Sequence, residues 1–377
     1  MRDNKNLHIQ KKNKKDEFYT QLSDIENELR HYKQHFKNKV VFCNCDDPYE
    51  SNFFKYFAMN FNNLGLKKLI ATGYATSPVA GREINMFTGE VETPKNQSFA
   101  VCIDEVKDLN SDGRIDLEDV KILLTKNNFH KKKLKGETVR ENGKEIVYPA
   151  GDFRSSECIK LLKEADIVCT NPPFSLFREY MNQLIKYNKK FLVIGNVNAI
   201  QCKEIFPLIK ENKVWFGYKF NGKPMLFTVP DYYELSGNVN GYLSDGTKYI
   251  GVGGTCWYTN LDIQKRHEDL DLYKEYSPED YPKYDNLDAI NVNKTSDIPY
   301  DYDGVMGVPI TFLNKYNPNQ FEIIGIACGN SWANYRQTLE KLNFDPNIKY
   351  GGGLGTGVLN GKAVYGRLLI KRKPTAS

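Results

Sequence analysis

The feature that most restricts the fold is an alternation of short, continuously apolar segments with amphipathic ones. Segments 39–43 (KVVFC), 68–72 (KLIAT), 166–170 (DIVCT), 191–195 (FLVIG) and 214–218 (VWFGY) read as strands. Between them, 51–64, 155–163, 176–187 and 199–211 carry helical spacing; Phe53, Phe57, Phe61 and Leu64 share one face. Continuously apolar strands are covered on both faces, and strands separated by helices run parallel through crossovers. The pattern predicts a doubly wound, mostly parallel α/β sheet reaching to about residue 262. Residues 263–377, richer in Pro, Asp, Tyr and Asn, read as a second, less regular C-terminal lobe. Ahead of the sheet, Leu22, Ile25, Leu29, Tyr32 and Phe36 suggest one more helix, with Ser23 and Glu26 spaced as a capping box. Residues 1–15, with Lys11, Lys12, Lys14 and Lys15, read as a flexible basic arm.

Composition removes several classes. The net charge of +5 excludes a supercharged binder but permits one basic face. No apolar run approaches the roughly 18 residues of a membrane span, and no secretory leader opens the chain. Eight scattered cysteines without a CxxC pair indicate reduced thiols and a cytoplasmic protein rather than a disulfide or zinc framework. The 24 Tyr and 21 Phe fill a core and also offer flat partners for bases.

Ligands of open α/β sheets bind beyond the carboxyl ends of the strands, so residues just after each strand carry the most information. After 166–170 comes Asn171-Pro172-Pro173-Phe174. Successive prolines fix φ and remove two backbone donors, leaving a stiff turn with outward carbonyls. Asn171 adds a side-chain acceptor. Two converging acceptors would hold the two hydrogens of an exocyclic amine, and Phe174 offers a ring for a planar base, worth about 1–3 kcal/mol per base. The motif points to amino-group methylation without choosing among substrates.

With that turn, the chain resembles the S-adenosylmethionine-dependent adenine-N6 DNA methyltransferases, and more narrowly the EcoRI-type family. The resemblance is carried by Asp16-Glu17-Phe18-Tyr19-Thr20, VVFCNCDDPYESNF at 40–53, GDFR at 151–154, ADIVCTNPPFSLFREY at 165–180 and FLVIGNVNAI at 191–200. It spans 16–262 well and continues more loosely to the end. It implies a Rossmann-like methyltransferase domain over 16–262 and a DNA target-recognition lobe over 263–377. It implies that Asn171 and the Pro172 carbonyl hold N6, with Pro173 stiffening the turn and Phe174 stacking on a flipped adenine. It implies that Asp152 bonds the adenine amine of S-adenosylmethionine beside Phe153, that Phe18, Tyr19 and Thr20 border its methionine end, and that the turn with Asn44, Asp46 and Asp47 is the cofactor loop. Double-stranded DNA is the implied partner; a cognate restriction endonuclease, without a stable complex, is the further counterpart the resemblance allows.

The chain departs from the common pattern in two respects. The Gly-rich loop usual after the first strand is replaced by Asn44-Cys45-Asp46-Asp47-Pro48, and no acidic residue closes the second strand, which ends Ala71-Thr72-Gly73-Tyr74. Asp46 or Asp47 is the available substitute. Asp46-Asp47-Pro48-Tyr49 has only one proline and reads as a cofactor-side loop rather than a second catalytic turn. A relocated cofactor strand at 321–330 with a Gly loop at 351–357 is the alternative order, weaker because glycine usually marks a plain turn.

An insertion at about 104–135 carries DLNSDGRIDLED, which fits a calcium loop of EF-hand type. Asp108, Asn110, Asp112, Arg114, Asp116 and Asp119 are the candidate ligand positions for a structural Ca2+, with Asp in place of the usual final Glu; the bland alternative is an acidic turn capping a helix at 120–126. Lys131, Lys132, Lys133 and Lys135 form a basic run that reads as a solvated loop or as phosphate contacts. Lys315, Asn330, Trp332, Asn334 and Arg336 are position-based candidates for reading bases in the C-terminal lobe. Rival functions are an RNA adenine or protein glutamine N-methyltransferase, and a non-catalytic calcium-stabilised nucleic-acid binder.

Overall fold

The computed structural model describes residues 19–73, 83–84, 91–92, 98–125, 130–219, 223–229, 233, 235, 239–329, 331–348 and 353–374. The basic arm, Phe18 and Asn330 lie outside the described residues. Two compact units divide the chain: Met1–Val197 with Lys223–Leu261, and Asn198–Gly222 with Asp262–Ser377.

The first unit contains, in order, β1 (Tyr19–Thr20), α1 (Leu22–Leu29), β2 (Val40–Cys43), α2 (Asn52–Met59), β3 (Lys68–Thr72), β4 (Phe99–Ile103), α3 (Leu117–Thr125), β5 (His130–Lys133), α4 (Ser156–Glu164) and β6 (Ile167–Thr170). It continues with α5 (Phe177–Lys186), β7 (Lys190–Asn196), β8 (Met225–Thr228), β9 (Asn240–Tyr242), β10 (Lys248–Val252) and β11 (Thr255–Thr259). Within this unit the large sheet runs β11-β7-β6-β2-β3-β4-β5. The centre is parallel, with β7, β6, β2 and β3 side by side. Every residue of β2 and β6 is buried, as a strand covered on both faces requires. Helices α2, α4 and α5 pack on β3, β2 and β7.

The sheet is mixed rather than mostly parallel, because β11 lies antiparallel to β7, β4 to β3, and β5 to β4. The basic run thus forms an edge strand rather than a solvated loop. Lysines on such an edge discourage pairing with another chain. A second sheet, β1-β8-β10-β9, is antiparallel and ties the N-terminal segment back to the middle of the chain.

Three helix expectations are corrected. The run 51–64 is interrupted at Asn60, whose amide donates to the Tyr56 carbonyl (2.9 Å), and resumes as Phe61–Leu64. Segment 199–211 yields only a 3-10 turn, Val197–Gln201, and a short helix, α6 (Phe206–Lys210). Pro207 has no N–H to give and is accommodated in the first turn of α6, not inside a longer helix. The capping box is absent: Gln21 is the N-cap without a side-chain bond, and Ser23 lies inside α1. Asn52 Nδ2 donates to the Thr20 carbonyl (2.8 Å), fixing where α1 begins.

The second unit is more regular than its composition suggests. Strands β12 (Ile290–Asn291), β13 (Met306–Pro309), β14 (Phe321–Ala327) and β15 (Arg367–Arg372) form a sheet in the order β12-β13-β15-β14, with α7 (Ser331–Glu340) beside β14. Leu339, Leu342, Phe344, Ala327 and Leu369 belong to its core. β14 pairs antiparallel to β15, unlike the parallel first strand that a relocated cofactor site needs. All eight cysteines are free thiols. Among the described residues no helix is long and apolar enough to cross a membrane.

Candidate active site

The ends of β2, β3 and β6 lie side by side because their strands are in parallel register, and the candidate residues follow directly from those ends. Asn171 leaves β6 half-buried, Pro172 is buried, and Pro173 and Phe174 are half-buried. Pro173 sits at φ −55°, ψ 124° and its carbonyl accepts the Leu176 N–H (3.0 Å), closing a 3-10 turn, Phe174–Leu176, that leads into α5. That bond occupies the second proline carbonyl and leaves the Pro172 carbonyl out of the turn. The ring of Phe174 meets the buried Phe227 edge-on, with centroids 6.2 Å apart.

Phe227 belongs to β8, which pairs with β1 in the register Thr20 to Phe227 and Tyr19 to Thr228. The N-terminal candidates Tyr19 and Thr20 are thereby carried next to the Asn-Pro-Pro-Phe turn, a long-range link that no local pattern announces. No local pattern singles out Phe227.

Beyond β2, Asn44 is 1% exposed. Its Oδ1 accepts the Tyr180 hydroxyl, while its Nδ2 is buried with no hydrogen-bond partner among the described residues. A buried donor left unpaired costs about 1–3 kcal/mol, so such an atom points to a missing acceptor. Tyr180, on the buried face of α5, also packs edge-on against Phe153 with centroids 5.0 Å apart. Burial pushes its hydroxyl above the ordinary range, so it remains a donor.

Asp152 is buried at the start of the turn before α4. Arg154 holds it by three bonds: its backbone N–H (2.9 Å) and Nε (2.9 Å) on Oδ1, and Nη2 (2.7 Å) on Oδ2. A carboxylate offers about four acceptor directions. One direction on Oδ2 is left over, suited to an amine donor. Gly151, at φ +80°, lets this segment reach β3: a Cβ there would overlap the Gly73 carbonyl oxygen and fall 2.5 Å from Ser98 Oγ. Asp47 lies against Gly73, where a Cβ would come 2.9 Å from Asp47 Oδ2, and its Oδ1 accepts the Tyr49 N–H (2.9 Å).

Asp46 is buried and occupied on both sides. Ser51 Oγ donates to Oδ1 (2.6 Å), and the Thr170 hydroxyl donates to Oδ2. Burial raises its pKa to about 7, against the pull of the Ser51 and Thr170 hydrogen bonds; the neighbouring Asp47 charge adds to the rise.

Other candidates stand apart from this cluster. On β5, Lys131 is half-buried with Nζ 4.1 Å over the Phe99 ring and 5.9 Å over Tyr49. Lys132 reaches Glu157 at 3.8 Å, Lys133 is exposed, and the Lys135 backbone N–H donates to Glu157 (2.6 Å).

The calcium expectation gains no support. Among the described residues no group of three His, Cys, Asp or Glu side chains converges as a metal site. Asp119 lacks the reach of the usual Glu and turns to the loop's own backbone, accepting from Leu109 (2.7 Å), Asn110 (3.2 Å) and Asp116 (2.9 Å). Asp108 accepts from Ser111 and Gly113, Asp112 from Arg114, Asn110 from Asp112, and Asp116 from Glu118. Through its bond with Glu118, Asp116 caps the first turn of α3. In the second unit Trp332, half-buried, packs against the core with its ring tilted on Phe344 (5.1 Å), and Arg336 pairs with Glu340 (2.7 Å). Lys315 and Asn334 are exposed.

The family described as "Adenine-specific methyltransferase EcoRI" matches residues 6–373. The Type II methyltransferase M.EcoRI of Escherichia coli is 47% identical over 98% of this chain and 97% of its own. M.MgeORF184P of Mycoplasma genitalium and M.MpnI of Mycoplasma pneumoniae, both named Type II methyltransferases, are 38% and 36% identical, each over 96% of this chain and 97% of their own. No solved structure matches the chain. With a match along nearly its whole length and a proline-stiffened turn beyond a central strand, the chain belongs to the EcoRI-type adenine-specific methyltransferase family.

Proposed function

We propose that this methyltransferase moves a methyl group from S-adenosylmethionine to the N6 amine of an adenine that it rotates out of a DNA duplex. The observation that carries the reading is the half-buried turn of Asn171, Pro172, Pro173 and Phe174 beyond β6, beside the buried Asn44 and Asp152. The finer fold reading that goes with it is a Rossmann-like sheet, with the cofactor beyond β2 and the substrate beyond β6.

The cofactor residues fit such a group. Asn44 Nδ2 is a buried donor in want of an acceptor, and Asp152 Oδ2 keeps one acceptor direction for an amine. Asn44 and Asp152 would hold the nucleoside end with Phe153 along its ring, Asp47 would lie at the loop, and Tyr19 and Thr20 would border the methionine end. When bound, the cofactor supplies a methyl group already activated on a sulfonium sulfur.

The chain's own residues then align and polarise. The Asn171 side-chain oxygen and the Pro172 carbonyl accept the two N–H bonds of N6, which draws electron density to the nitrogen and favours its pyramidal form. Phe174, steadied by Phe227, stacks on the extruded base. Extrusion costs a few kcal/mol, a cost that about 1–3 kcal/mol of stacking plus the amine hydrogen bonds offsets. Alignment of nucleophile and methyl group supplies most of the rate, since effective molarities of oriented reactants reach about 10⁵–10⁸ M. We assign the second unit to target recognition and the lysines of β5 to phosphate contacts.

The test is methyl transfer from labelled cofactor to duplex DNA, RNA and protein in parallel, followed by nucleoside analysis. N6-methyladenine confined to DNA is expected; label in RNA or protein alone would transfer the assignment to one of those substrates.

A further inference from the structure

Asp46 stands where the cofactor loop was expected to contribute an acid, yet both of its oxygens are taken by hydroxyls of its own chain. The second of these belongs to Thr170, the residue immediately before Asn171. The ladder shows why that matters. On the β7 side, β6 is paired to its last residue, Thr170 opposite Val193. On the β2 side the register stops two residues earlier, at Val168 opposite Phe42. From there on, the strand end that launches the turn is held on the β2 side by side-chain bonds. Thr170 Oγ1 accepts the Cys45 N–H (3.2 Å) and donates to Asp46. Asp46 is itself fixed at both ends. Its N–H donates to the Thr72 carbonyl (3.1 Å), and Ser51, the N-cap of α2, donates to its other oxygen.

We propose that Asp46 is a positioning residue for methyl transfer: through the Thr170 hydroxyl it sets the direction in which Asn171 meets the amine. This rests on the function proposed above and adds a role distinct from cofactor binding. The tie also couples the cofactor loop to the substrate turn. A shift of about 1 Å in a reacting group costs roughly 10²-fold in rate, and the loss of this tie frees one side of the turn to make such a shift.

The experiment measures single-turnover methylation of duplex DNA at saturating cofactor, together with equilibrium affinity for S-adenosylmethionine. Thr170→Val, Thr170→Ser, Asp46→Asn, the Asp46→Asn/Thr170→Val pair and Asn171→Ala are compared with the unaltered protein. Thr170→Val and Asp46→Asn are expected to slow transfer about 10²-fold while cofactor affinity stays within about threefold. Thr170→Ser, which restores the hydroxyl, is expected to recover most of the rate. The pair is expected to be no slower than its slower member, because both changes break one tie. Thr170→Val preserves side-chain shape, so the test stands even where Asp46→Asn does not fold. A wild-type rate for Thr170→Val, or a loss in Asp46→Asn that is all cofactor affinity, overturns the inference. An active Asn171→Ala would instead overturn the proposed function on which it rests.

Discussion

Replacing Gly151 by alanine tests how the cofactor-side segment is seated. At φ +80° an L side chain sits in the left-handed region, and the added Cβ would overlap the Gly73 carbonyl oxygen, 2.9 Å from its carbon and 2.5 Å from Ser98 Oγ. Neither neighbour is the tip of a long side chain; one is backbone at the end of β3. Backbone strain and overpacking together come to about 2–6 kcal/mol. Gly143, in the Glu137–Glu141/Lys144–Tyr148 hairpin turn, provides the control: its φ is +76°, and a Cβ there meets nothing within 4 Å. Gly143→Ala bears only the strain, about 1–2 kcal/mol. Urea denaturation should therefore place Gly151→Ala clearly below Gly143→Ala in stability. Calorimetric titration should show weaker S-adenosylmethionine binding only in Gly151→Ala, because Asp152 and Phe153 move with it. Equal midpoints and equal cofactor affinity for the two variants would refute the close approach as the reason for glycine.

Other consequences follow from the same geometry. Phe174→Ala removes the stacking ring and should lower kcat/KM for DNA by about 5- to 150-fold, the equivalent of 1–3 kcal/mol; unchanged steady-state kinetics would contradict the stacking role. Asp46 is held near 7 by burial, above its ordinary 3.8. Its contribution to stability is therefore full below about pH 4 and lost as pH rises through 7. Asp46→Asn cannot ionise, so urea midpoints taken from pH 4 to pH 8 should shift in favour of the variant relative to wild type as pH rises; a pH-independent difference would show that Asp46 is not held protonated. Lys133, an exposed lysine of β5, should reduce the slope of log affinity against log salt by about 0.9 when changed to alanine. An unchanged slope removes it from the phosphate contacts.

The central strands were legible because burial on both faces leaves an unbroken apolar run, as in Val40–Cys43 and Ile167–Thr170. The Asn171–Phe174 segment was legible as a stiff turn because two adjacent prolines leave little conformational choice. What escaped were features decided by distant partners. The antiparallel flanks depend on long connections whose return direction no local period encodes. Thr170 and Ser51 gain their roles only when Asp46 folds between them. Tyr180 reads as one more apolar position of an amphipathic helix until its hydroxyl meets Asn44 and its ring meets Phe153. At the EF-hand spacing, the backbone N–H groups of the loop, which no pattern of side chains announces, claim the oxygens of Asp119.

The most direct test of the account is the nucleoside composition of duplex DNA after incubation with cofactor and either the unaltered protein or Asn171→Ala. N6-methyladenine should accumulate with the first and be absent with the second, while both bind S-adenosylmethionine with similar affinity. Comparable N6-methyladenine from Asn171→Ala would contradict the claim that this turn holds the reacting amine.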